Sequence, residues 1–199
     1  MGHREDLLEG AKRCLREKGY ARTTARDIVA ASGTNLASIG YHYGSKEALL
    51  NTALMQTVEE WGDELRTALA SEVDPDATPI ERFVAIWTRM IDSLAEQRPI
   101  WAASYESFTQ IDRLPEVRAF LIEGLRQARS GMAALFLGVE ESTLGEEELR
   151  TVGSFYYALL NGVMVQWMID PDSAPSAHDL AEALRAISAR MGGTEAPAA

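Results

Sequence analysis

The sequence predicts an all-α fold of about nine helices, arranged as an N-terminal three-helix head and a C-terminal helical bundle. Three observations carry that prediction. Apolar residues recur at three- and four-residue spacing along most of the chain, and no stretch sustains the alternation of a strand. Capping residues and breakers punctuate those apolar runs where helices begin and end. Finally, residues 23–46 read as two short helices joined by a tight turn at Gly33.

A first helix over 4–18 puts Leu7, Leu8, Ala11, Cys14 and Leu15 on one side and stops at Gly19. Thr24 caps the second helix, and Asp27 three positions later completes a capping box with Asp in place of the usual Glu. Ile28, Val29 and Ala31 supply its buried side, and Gly33 takes the left-handed conformation that a sharp helix-helix turn needs. The third helix, roughly 35–41, is too short to be stable without packing. Ser45 caps a long fourth helix, about 46–70, and Pro79 opens a fifth that reaches about Ala95. Arg98-Pro99 is expected to break it, leaving a shorter helix over 100–110. Pro115 starts another, ending near Leu137 with Gly138 as its stop, and two final segments cover 146–169 and 177–191. Ser176 and Asp179 form a second capping box before the last of these. The expected organisation is a head over 1–47, a body over 48–191 and a disordered tail over 192–199.

Charge is unevenly spread. The net charge is −11, yet residues 1–50 hold eight Lys/Arg against six Asp/Glu, while the rest holds eleven against twenty-four. An acidic body is repelled by a polyanion and turns the mildly basic head toward it. The single cysteine, Cys14, excludes an intrachain disulfide and reads as a small buried hydrophobe in a reducing compartment. No run approaches the ~18 apolar residues of a membrane span, and the N-terminus does not resemble a signal peptide. A cytoplasmic protein without a membrane partner is expected.

The head has the layout of a helix-turn-helix DNA reader, in which one helix braces the turn and the next enters the major groove. Leu36 and Ile39 are the expected seating residues of the third helix, leaving Thr34, Asn35, Ala37, Ser38, Tyr41 and His42 for DNA. Asn35 has the bidentate geometry that pairs with adenine, but it is equally a helix cap. Ser38 is short enough for a base edge or a phosphate, and Ala37 suits a thymine methyl. Tyr41 and His42 sit where phosphate contact is favoured, and Lys46, beside the free amides of a helix start, suits an incoming phosphate. Thr24, at the exposed start of the second helix, meets the other edge of the groove.

At these residues the chain resembles the TetR family of bacterial transcriptional regulators. The resemblance covers about Arg4 to Leu50 and rests on Gly19-Tyr20 before Thr23-Thr24, on Arg26 to Gly33, and on Tyr41-His42-Tyr43-Gly44-Ser45-Lys46 through Leu50. The span from Leu159-Leu160-Asn161-Gly162 to Asp170-Pro171 is similar to a recurrent penultimate helix of that family. Gly40 and Thr34 depart from it, standing where many members carry an aromatic and a hydrophobic residue. The resemblance implies a homodimer whose C-terminal helices sense a small ligand, usually to relieve repression. It also implies that Lys46 touches phosphate and that Tyr43 packs the head against the fourth helix.

A second copy is needed to reach the next major-groove face, about one helical turn or ~34–36 Å away, so the expected operator is an imperfect inverted repeat. Phe155, Leu159, Gly162, Val163, Gln166 and Trp167, with Leu180, Leu184 and Ile187, are the candidate dimer seam; the same faces also suit an intrachain core. Phe83, Trp87, Met90, Trp101, Tyr105, Phe108 and Phe120 suit either plain core or an apolar effector pocket, with Glu106, Gln110 and Arg118 as polar handles. The three histidines and one cysteine form no metal-ligand spacing, and no phosphate loop or nucleophile elbow is present, so neither enzyme activity, metal nor cofactor is expected. The rival reading is an activator or a ligand-independent DNA binder of the same fold.

Overall fold

The computed structural model describes residues 2–192 apart from 73, 75, 110, 113 and 114; among these there are nine α-helices and no strand. In order they are α1 (His3–Lys18), α2 (Ala25–Ser32), α3 (Leu36–Tyr43), α4 (Lys46–Glu72), α5 (Pro79–Phe108), α6 (Pro115–Leu137), α7 (Glu146–Glu148), α8 (Ser154–Ile169) and α9 (Ala177–Gly192). Gln110 and the expected tail from 193 onward lie outside the described residues, while Gly192 closes α9.

The expected break at Arg98-Pro99 is absent, because α5 runs through Pro99. A proline inside a helix costs about 3 kcal/mol. Burial of Ile100 and Trp101 directly after it offsets that cost, each large side chain contributing roughly 1.5–3 kcal/mol. The expected segment 146–169 is helical throughout, with a π turn over Leu149–Gly153 joining α7 to α8.

The chain forms two compact units, Met1–Glu64 with Glu96–Ala128, and Leu65–Ala95 with Arg129–Ala199. In the first, Leu7, Ala11, Cys14 and Leu15 of α1 pack with Ile28 of α2, Ile39 of α3 and Leu49, Leu50, Ala53 and Leu54 of α4. Ile100 and Ala103 of α5 belong to the same cluster, so the core beneath α1–α3 reaches beyond residue 47. Cys14 lies within it, and burial pushes its thiol up, away from the reactive thiolate. Lys12, also buried, bridges α1 to α4 through Glu60 (2.6 Å) and pairs with Glu9 (3.2 Å). In the second unit Phe136 stacks on Tyr156 at 3.8 Å, and both lie within aromatic contact of Phe83. Trp87, wholly buried, joins this group against Phe83 and Phe136.

Candidate nucleic-acid interface

The start of α2 is built by the expected capping box. Thr24 Oγ1 accepts from the Asp27 amide (3.2 Å), and Asp27 Oδ2 accepts from the Thr24 amide (2.8 Å) and hydroxyl (2.6 Å). Lys18 Nζ stands 2.5 Å from the other carboxylate oxygen. Lys18 first, and then Thr24, hold the Asp27 carboxyl far below the usual carboxylate range. A depressed folded value gives stability that is present above the unfolded value of 3.8 and is lost as pH falls below it. The clasp on α2 should therefore be constant through neutral pH and loosen only in strong acid. Thr24→Ala should cost about 1 kcal/mol in urea unfolding, the typical worth of an N-cap; an unchanged midpoint would show that Lys18 and Asp27 hold the helix start without it.

Gly33, with φ 69° and ψ 18°, makes the left-handed turn. Ser32 and Thr34 hydroxyls close it at 2.7 Å, and Arg13 donates to the Ala31 carbonyl, a cation at the end of α2 where the helix dipole favours it. On α3, Asn35 is the cap: its Oδ1 accepts from the Ser38 amide at 3.1 Å. Its Nδ2 makes no hydrogen bond among the described residues, so the cap leaves a donor outward.

The outward face of α3 is Asn35, Leu36, Ala37, Gly40 and Tyr41, all exposed. Tyr41 is 85% exposed and meets His42 edge to face at 4.8 Å. Two expectations change here. Leu36 is 52% exposed and does not seat the helix, whereas Ser38, expected to reach DNA, is 8% exposed. The buried arc is centred on Ser38 and Ile39, and at 3.6 residues per turn Leu36 stands about 200° from Ser38. Tyr43 donates to the Arg4 carbonyl (2.8 Å), with the Arg4 guanidinium 5.7 Å from its ring centroid. The aromatic thus braces α3 against α1 as it packs on the cluster shared with α4.

Lys46 donates to the Thr23 carbonyl (3.0 Å) and pairs with Glu47 (3.2 Å), tying the α4 start to the residue before the α2 cap. Arg22 and Arg26, both exposed beside that cap, are cations that the sequence reading passed over. Both stand two positions from Thr24, so the cap itself is the signal that locates them.

The remaining candidates are dispersed. Phe83, Trp87 and Met90 are in the second unit; Trp101, Tyr105, Glu106, Phe108 and Phe120 are in the first. Trp101 lies edge-on to Trp61 at 4.9 Å, and Tyr105 to Phe108 at 5.8 Å. Phe120 borders an open cavity of about 440 Å³ with Arg4, Leu8, Thr52, Met55, Gln56 and Glu59. Glu106, expected as a ligand handle, accepts the Ala21 amide at 2.7 Å. Arg118 is exposed on α6.

Of the seam candidates, Val163 is 2% exposed and lies in the protomer's own core with Leu160 and Met164. Leu159, Trp167, Leu180 and Leu184 are half-buried, while Phe155, Gly162, Gln166 and Ile187 are exposed. Val165, Ile169 and Met191 extend that exposed set, and were missed. Among the described residues no group of three or more His, Cys, Asp or Glu side chains is placed to hold a metal, and no helix is long and apolar enough to cross a membrane.

Comparison with known proteins agrees with this architecture. The chain is similar to the probable HTH-type transcriptional regulator ArpR of Pseudomonas putida, with 26% identity over 182 residues, covering 89% of this chain and 85% of the relative. Two solved structures share the fold. One is the multidrug binding protein EbrR complexed with proflavin, with a TM-score of 0.65 and 22% identity over 92% of this chain and 98% of the other. The second is a transcriptional regulator from Saccharomonospora viridis in complex with choline, with a TM-score of 0.63 and 21% identity over 93% and 94%. The model of bacterial regulatory proteins of the tetR family matches residues 7–53, and that of the tetracyclin repressor-like C-terminal domain matches 78–190. With the head and most of the body matched in sequence order, the chain belongs to the TetR family of DNA-binding transcriptional regulators.

Proposed function

We propose that this protein is a homodimeric cytoplasmic repressor that binds duplex DNA at an imperfect inverted repeat and is released by a small, largely apolar ligand. The observation that carries the DNA half is the outward face of α3, braced across the Gly33 turn by a firmly capped α2. Asn35 and Ala37 read the groove. Thr24, Tyr41, His42 and Lys46 meet backbone phosphates, and Thr34 and Ser38 shape the turn and the seat from which α3 reads.

The test is a binding selection on randomised duplexes. Asn35→Ala should relax preference at one position of each half-site by about 1–3 kcal/mol, whereas buried Ser38→Ala should leave the pattern of preferences in place. Identical preferences for wild type and Asn35→Ala would remove α3 as the reader. Lys46→Ala should weaken operator and random DNA alike and lower the salt slope by about one. A selective loss on operator with the slope unchanged would overturn the phosphate role.

The ligand half rests on the aromatic group of the second unit. Trp87 Nε1 is buried without a hydrogen-bond partner among the described residues, a deficit that an acceptor on a bound molecule satisfies. The relatives EbrR and the S. viridis regulator were solved with proflavin and choline, so these are the first probes. Tryptophan fluorescence should respond to one of them and operator affinity should fall in parallel. Binding that leaves DNA affinity unchanged would keep the site and discard the switch, since equal affinity for both states shifts nothing.

A further inference from the structure

We propose that Glu106 is a positioning residue for DNA recognition: from the last turn of α5 its carboxylate fixes the loop between α1 and α2, and so sets where the start of α2 stands. The inference rests on the DNA-binding reading above and adds to it a part that α5 plays.

The loop from Gly19 to Thr24 is held at several points, beginning with the Gly19 amide on the Leu15 carbonyl (3.0 Å) and Arg22 Nε on the Lys18 carbonyl (2.8 Å). The Thr23 hydroxyl donates to the carbonyls of Cys14 (3.3 Å) and Gly19 (2.6 Å), both within reach of α1. From α4, Lys46 donates to the Thr23 carbonyl (3.0 Å), and Asn51 accepts the Tyr20 hydroxyl (2.9 Å). The Ala21 amide, between these anchors, is held by Glu106 Oε2 at 2.7 Å, a short bond of the charge-assisted kind. A second contact locates the same carboxylate. A Cβ on Gly19 would stand 3.2 and 3.3 Å from its two oxygens, so the group seats against the open side of that glycine. The end of α5 is itself fixed, since Ile100 and Ala103 share the core of α1–α4.

The charge makes this role separable from general electrostatics. Glu106 makes no ion pair among the described residues, and its negative charge stands next to a loop that leads through Arg22 to the α2 cap. Removing an acidic side chain near a DNA-facing surface raises affinity for a polyanion. A positioning role predicts the opposite sign, because the loop loses the anchor that orients Thr24 and Arg26.

The experiment compares the full-length protein with Glu106→Ala and Glu106→Gln, on the duplex selected by wild type and by amide hydrogen exchange. Glu106→Ala should speed exchange of the Ala21 amide and lower operator affinity by about tenfold, the scale of one charge-assisted hydrogen bond, with helix content kept and the thermal midpoint lowered by no more than a few degrees. Glu106→Gln keeps a carbonyl acceptor and should recover most of both. Unchanged or raised operator affinity in Glu106→Ala, with normal affinity in wild type, would overturn the inference alone. So would a loss that Gln does not rescue. A wild type that selects no duplex would overturn the DNA-binding reading and this inference together, while the exchange rate at Ala21 would still report whether Glu106 holds the loop.

Discussion

Replacing Ile169 with aspartate is expected to leave a folded protomer that runs as a monomer and loses its operator. Ile169 is 78% exposed in the single chain, and Phe155, Gly162 and Val165 lie on the same outward side of α8. A Cβ on Gly162 would meet nothing within 4 Å, so that face admits the close approach of another helix. Ile187 and Met191 give α9 an exposed apolar side of its own. Single exposed apolar residues are ordinary, but a row along one face of α8, with an exposed apolar side on α9 as well, marks an interaction surface. Burying an isoleucine contributes roughly 1.5–3 kcal/mol, and an unpaired charge in its place removes that and adds a desolvation cost. In a two-fold interface each change counts twice, so a loss of about 4–6 kcal/mol, roughly 10³–10⁴ in the dimer constant, is expected. Sedimentation velocity and circular dichroism read mass and helix content together. Val163→Asp serves as the contrast: its side chain is buried within one chain, so it should melt the second unit rather than dissociate an intact protomer. An unaltered dimer mass for both Ile169→Asp and Val165→Asp would place the seam elsewhere.

That contrast also shows where sequence reading runs out. The helix starts and the sharp turn were legible, because Thr24 with Asp27, Gly33 and Ser45 in the head, and Ser176 with Asp179 before α9, are local devices whose partners lie within a few positions. α8 was not, because it is apolar on nearly every side, and a helix without a polar stripe does not announce which face turns inward. Leu36 was misplaced for a related reason. An eight-residue helix spans little more than two turns, and the i, i+3 pair Leu36–Ile39 fits two different buried arcs equally well. Pro99 misled in the other direction, since its local cost was visible and the burial of Ile100 and Trp101 that overrides it was not. Glu106 illustrates the largest gap. Its partner Ala21 lies 85 positions away, and no spacing rule reaches that far.

Gly10 is a long-range case of the same sort, and Gly10→Leu should abolish operator binding by displacing α2 from α1. In the sequence it is only a weak point in the first helix. In the fold, a Cβ there would stand 2.8 Å from Ser32 Cβ, 3.0 Å from Ser32 N and 3.1 Å from the Ile28 carbonyl oxygen. Two of these are backbone atoms of α2, which cannot yield by rotating a side chain. Replacing glycine inside a helix gains about 1 kcal/mol of helix preference, so the sign depends on the packing. Overpacking a close interface typically costs 1–3 kcal/mol, and a leucine carries three more carbons into the contact than alanine does. The strain should win for Leu and come near balance for Ala. Because α2 and the Gly33 turn carry α3, even a sub-ångström shift of α2 moves Asn35 and Tyr41 relative to the groove. Gly10→Ala should therefore keep most of the stability yet lose operator affinity. Base preferences measured on the selected duplex alongside urea midpoints separate the two effects. Gly10→Leu binding with wild-type affinity and preferences would show that the spacing of α1 and α2 does not set the reader.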